Sequence, residues 1–105
     1  MAIIKGTTPT ITFTFDEIAV TDISVAYLVI KQGGKVNIER DLETATVVTT
    51  SPSHISWTLT QEETLGLSKN MNADIYCDWK LLDGTRGRSN IRVESVEDTG
   101  KNEVI

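Results

Sequence analysis

The chain has almost none of the residues from which active sites and covalent staples are built. Its 105 residues include one cysteine, one histidine and two prolines, and aromatic side chains make up only 6%. A lone cysteine excludes an intramolecular disulfide, and one cysteine with one histidine excludes a zinc site of the usual ligand type. Basic residues are few: 10 against 15 acidic ones, a formal net charge of −5. Phosphate binding needs clustered Lys and Arg, so nucleic acid is not expected as a partner. No apolar run approaches the ~20 residues of a membrane span, so no membrane contact is expected. Residues 1–6 lack the basic and apolar regions of a signal peptide, which predicts a chain made and folded in a cytoplasm. With 39% apolar and 24% charged residues, the sequence reads as one globular domain over 1–105, including a polar tail at 97–105. That length suffices for one two-layer core.

What the chain does have is alternation. Ile11, Phe13 and Phe15 interleave with Thr10, Thr12 and Thr14. The same stagger recurs at Ile55-Ser56-Trp57-Thr58-Leu59, and again where Ile75, Cys77, Trp79 and Leu81 alternate with polar residues. A period of two sends successive side chains to opposite faces of a strand. The pattern predicts strands over 10–15, 24–32, 35–40, 45–50, 55–59, 73–82 and 89–96, an all-β sandwich. Its core face would carry Trp57 and Trp79, with Cys77 as a small buried residue between Ile75 and Trp79. Thr60-Gln61-Glu62-Glu63 matches a capping box, which predicts one short helical turn limited by Gly66. Leu65 and Leu67 would then plug the end of the sandwich.

Register can be argued for two hairpins. Leu82-Asp83-Gly84 supplies a three-residue loop with Gly84 in the left-handed position. The pairing then sets Leu81 against Thr85, Ile75 against Ile91, Asp78 against Arg88 and Asp74 against Arg92, with Ile91 and Val93 on the core face. Most of the basic cluster Arg86, Arg88 and Arg92 is thereby accounted for as sheet pairing. In the other hairpin, Gly33-Gly34 is a two-residue turn signal. It pairs Val29 with Ile38 and Lys31 with Val36, placing Tyr27, Val29, Val36 and Ile38 on one apolar face. The opposite face carries Ala26, Leu28 and Ile30. Both faces are apolar, whereas an antiparallel sheet commonly leaves one to water. The candidate interface is therefore Tyr27, Val29, Val36 and Ile38, with Val104 and Ile105 of the tail helping to cover it.

No catalytic constellation is present. His54 stands in a Ser-Pro-Ser-His turn with no acid placed to orient it. Asp74 and Asp78, four residues apart on one strand, lie about 13 Å from each other at ~3.3 Å rise. Glycosidase carboxylates need about 5–9.5 Å. Gly84-Thr85-Arg86-Gly87-Arg88 lacks the lysine and following helix of a phosphate loop, and no acidic run has Ca²⁺-loop spacing. The expectation is a non-enzyme without catalytic, metal or cofactor-binding residues and without a small-molecule substrate. A glycan- or cell-surface-binding module is the alternative, with Tyr27 and Tyr76 as its candidate platform.

Three stretches together carry a likeness: 4–15, with its Lys5-Gly6-Thr7-Thr8-Pro9 entry; 55–65, with Thr58-Leu59-Thr60-Gln61-Glu62-Glu63-Thr64; and 73–84 followed by Arg88-Ser89-Asn90-Ile91. In this order they resemble small β-sandwich proteins of phages and prophages of Gram-positive bacteria, similar to the N-terminal domain of phage baseplate upper proteins. The resemblance implies an immunoglobulin-like sandwich of about seven antiparallel strands with one short helical turn. It also implies a non-enzymatic structural part of a tail or baseplate, without cofactor, located in the virion after assembly in the host cytoplasm. Its partners would be itself, other virion proteins, or both. A baseplate upper protein continues into further regions, whereas this sequence stops at Ile105, which favours a free-standing virion component.

Overall fold

A computed structural model of the chain describes residues 2–50 and 52–98. Among these, nine strands and one helix follow in order: β1 (Ala2–Ile4), β2 (Thr10–Thr14), β3 (Ile23–Gln32), β4 (Lys35–Asp41), β5 (Thr46–Val48), β6 (His54–Thr58), α1 (Gln61–Leu65), β7 (Ala73–Leu81), β8 (Arg86–Arg88) and β9 (Arg92–Glu97). Single 3₁₀ turns lie at Val20–Asp22 and Leu42–Thr44. The strands form a six-stranded sheet, β1-β9-β7-β3-β4 with β8 also on β7, and a three-stranded sheet, β2-β6-β5. The described residues are mostly β, in two sheets with one short helix.

Two features correct the expectation of about seven antiparallel strands. Ala2–Ile4 is a strand, parallel to β9, with Ile3 opposite Val96. The final return strand is broken into β8 and β9. Glu97, read as the start of the tail, belongs to β9, and Val104 and Ile105 lie outside the described residues.

The two sheets enclose one core. Ile11 and Phe13 of β2 and Ile55 and Trp57 of β6 meet Ala26, Leu28 and Ile30 of β3 and Ile75 and Cys77 of β7. Each fully buried aliphatic side chain stabilises the fold by roughly 1.5–3 kcal/mol. Trp57 is fully buried and edge-on to Phe13, with ring centroids 6.0 Å apart. Its indole N–H donates to the Asp41 carbonyl at 2.8 Å. Trp79 is only half-buried, edge-on to Phe15 at 5.4 Å. Its indole lies over Gly87, where a Cβ would come within 2.5 Å of the ring, so glycine is what admits it there.

The capping box forms as expected: Thr60 accepts from the Glu63 N–H at 3.1 Å and Glu63 accepts from the Thr60 N–H at 2.9 Å. Leu67 is buried, but Leu65 is only half-buried, and the side chain that α1 sinks into the molecule is Thr64. Its hydroxyl accepts from the Gly6 N–H at 3.0 Å and donates to the Thr7 carbonyl at 2.8 Å. The helix is thus held to the β1–β2 connection by a satisfied buried hydroxyl rather than by a leucine plug.

Two one-residue slips correct the expected registers. The 82–84 loop forms as read, with Gly84 at φ 92° and Asp78 opposite Arg88. Beyond Arg88 the Ser89 hydroxyl, not a main-chain carbonyl, accepts the Cys77 N–H at 2.9 Å. An extra residue is absorbed there, and β9 resumes with Ile75 opposite Arg92 and Asp74 opposite Val93. A slip by one exchanges the faces of a strand. Ile91 and Val93 are therefore exposed rather than core residues, and Arg92 turns inward, its guanidinium 4.7 Å from the Phe13 ring centroid.

The Gly33-Gly34 hairpin slips at Asn37. Lys31 faces Val36 as expected, but Ile30, not Val29, faces Ile38. Asn37 donates from its side chain to Gln32 Oε1 at 3.0 Å. Ile38 consequently joins Ala26, Leu28 and Ile30 in the core and leaves the candidate interface.

Candidate interaction surface

The outer face of the six-stranded sheet is assembled from β4, β3, β7, β8 and β9. Cross-strand pairing places its residues in rows: Val93, Asp74, Lys31 and Val36; then Tyr76, Val29 and Glu39; then Arg88, Asp78, Tyr27 and Asp41; then Arg86, Lys80 and Val25. Tyr27, Val29 and Val36 share this face, as the sequence suggested. Val93 joins them because of the slip before β9.

The face is not a bare apolar patch. Tyr76, a candidate platform for a glycan, is 4% exposed although it points outward. The Arg88 guanidinium lies 4.4 Å from its ring centroid and the Lys31 ammonium 5.6 Å from it. Arg88 also grips Asp78 with two hydrogen bonds, of 2.6 and 3.3 Å. That carboxylate holds the guanidinium more firmly protonated than usual, chiefly through these hydrogen bonds. Cation–π and charge-assisted contacts together seal Tyr76 under long side chains, and the neighbouring Val29 is buried as well.

What stays open is Tyr27 at 39%, Val36 at 44% and Val93 at 58% exposure. Around them stand four cations, Lys31, Lys80, Arg86 and Arg88, and four anions, Glu39, Asp41, Asp74 and Asp78. These rows balance in charge, four against four, on a chain of formal charge −5. Val25, Tyr27, Asp78, Lys80 and Arg86 also line a shallow recess of about 190 Å³.

Other candidates do not come together. His54 is half-buried with Nδ1 3.0 Å from the Pro52 carbonyl oxygen. Cys77 is fully buried, and burial first, then the Asp78 charge, pushes its thiol up to about 12. A thiol so far above neutrality carries no nucleophilic thiolate. Among the described residues no group of three or more His, Cys, Asp or Glu side chains is placed to hold a metal ion, and no helix is long and apolar enough to cross a membrane.

Two residues that matter were not singled out by sequence reasoning. Arg40 joins β4 to the first turn of α1 through Glu63 at 2.7 Å, and also donates to Thr44 Oγ1 in the 3₁₀ turn after β4 at 3.0 Å. Gln32, buried at the end of β3, binds Ser68 and Met71 in the connection after α1. The only signal for Gln32 was an uncharged polar residue at a core-parity position. Compared with known proteins, the chain has no match among family models, curated proteins or solved structures.

Proposed function

We propose that this chain is an immunoglobulin-like sandwich serving as a non-enzymatic structural component of a phage tail or baseplate, acting through protein–protein contacts. The fold reading rests on strand order: β2-β6-β5 opposite β4-β3-β7-β9 parallels the B-E-D and C′-C-F-G sheets of such domains. The functional reading rests on the resemblance of 4–15, 55–65, 73–84 and 88–91 to phage sandwich proteins. The single observation that carries it is the outer face of the large sheet. On an acidic chain, Tyr27, Val36 and Val93 stand on this face between four cations and four anions. Interfaces favour aromatic anchors and charge complementarity in this way. Glycan stacking draws less support, because Tyr76 and Trp57 are sealed, leaving Tyr27 and the half-buried Trp79, whose ring packs edge-on against Phe15 and over Gly87.

Mass spectrometry of gradient-purified particles from cells carrying the gene tests the proposal. The chain should co-purify with tail proteins at a constant ratio across fractions. A chain found only in the particle-free fraction would contradict a virion role.

A further inference from the structure

A second surface lies at the edge of the small sheet. Phe15 N–H donates to the Ser53 carbonyl and Leu59 N–H to the Pro9 carbonyl, at 3.0 and 2.9 Å. In an antiparallel pair the bonded positions alternate. The main-chain groups at 9, 11, 13 and 15 therefore face β6. Those of Thr10, Thr12 and Thr14 point the other way, along an edge that pairs with no strand among the described residues.

Sheet edges are commonly defended by charge, proline, bulges or shortness. β4 has Lys35, Glu39, Arg40 and Asp41 and the slip at Asn37, while β1, β5 and β8 are only three residues long. β2 has none of these defences: five residues, Thr10–Thr14, without charge, proline or bulge. Its protection comes from another strand, since Arg92 donates to the Thr12 carbonyl while lying over Phe13. Beside the edge is a recess of about 320 Å³ with Phe13, Phe15 and Trp79 in its wall.

We infer that β2 pairs edge-to-edge with β2 of a second copy of this chain, antiparallel about a two-fold axis at Thr12. The strand is self-complementary in that register. Thr12 meets the partner's Thr12 as a hydrogen-bonded pair and Thr10 meets the partner's Thr14, so each outward-pointing N–H finds a carbonyl. Ile11 meets the partner's Phe13 on the core side, where the recess gives room. Threonine pairs on one face and aliphatic–aromatic pairs on the other are both favourable cross-strand combinations. A two-fold contact of one patch with itself closes as a dimer. Arg92 must release Thr12 for pairing to occur, so it acts as a gate.

Amide hydrogen exchange followed by NMR from micromolar to millimolar protein tests this. Thr12 and Thr14 amides should gain about tenfold or more protection as concentration rises, with sedimentation showing a dimer. Arg92→Ala should move that transition to lower concentration. Thr12 is exposed, so Thr12→Lys and Thr12→Glu should each stay folded and monomeric by setting like charges face to face. Mixing the two variants should restore the dimer. Thr12 and Thr14 amides that exchange freely in a protein monomeric throughout would overturn the inference. So would a dimer indifferent to Thr12→Lys, or one abolished instead by Val36→Lys.

Discussion

Trp57→Ala should be the most damaging single substitution, lowering stability by roughly 3–5 kcal/mol. The indole is fully buried and meets Phe13 edge-on, and it donates to the Asp41 carbonyl at 2.8 Å. Its removal leaves the largest hole that any one truncation makes in this core. The carbonyl is not orphaned, because the Thr44 hydroxyl also donates to it, at 3.1 Å. The cost is thus chiefly cavity and lost burial rather than an unsatisfied acceptor. Trp57→Phe, which keeps a ring against Phe13 and leaves Thr44 in place, should lose much less. For a domain whose whole stability is about 5–15 kcal/mol, the alanine variant should melt far below wild type in a denaturant or thermal scan. A loss below about 1 kcal/mol would mean that β6 does not face the core through Trp57.

Gln32→Leu should rank next, at about 3 kcal/mol, although it keeps the side chain's volume. The Gln32 amide uses its full capacity of two donors and two acceptor sites. Nε2 donates to the carbonyls of Ser68 and Met71 at 2.8 and 3.1 Å, while Oε1 accepts from Ser68 N–H at 2.8 Å and Asn37 Nδ2 at 3.0 Å. Leucine leaves the main-chain groups of Ser68 and Met71 without these partners. Residues 68–72 are exposed, so the connection can peel away and find water instead. The signature is local as well as global: Ser68 and Asn70 amides should lose exchange protection ahead of the strands. Equal loss of protection everywhere would contradict the view of Gln32 as the clamp of that connection.

The sequence makes the strands legible because alternation is a local property. Ile11-Thr12-Phe13 and Ile55-Ser56-Trp57 show their faces without reference to any partner, and both segments form as read. The capping box and the 82–84 turn are equally local. What stays hidden depends on one side chain standing in for another group elsewhere. Asn37 reaching Gln32 and Ser89 replacing a main-chain acceptor for Cys77 each absorb one residue without marking the alternation. The first moves Ile38 from the candidate interface into the core, and the second puts Val93 on the outer face and Arg92 inside. β1 is too short to show a period and is defined only by β9, at the far end of the sequence. Of the proposed contact face, Tyr27, Val29 and Val36 could be read from the hairpin. The sealing of Tyr76 by Arg88 and Lys31 required the sheet order.

The claim that the outer face of the large sheet is the working surface meets its most direct test in the double variant Val36→Lys with Val93→Lys. Both positions are exposed, so the variant should keep its fold, with stability within about 0.5 kcal/mol per site of wild type. Two added charges on a face that must desolvate against a partner should abolish docking. The measurement is the amount of the chain in gradient-purified particles when the variant replaces wild type. The expected result is a folded soluble protein that is lost from the particles. Incorporation at the wild-type level would contradict the assignment of this face as the contact surface.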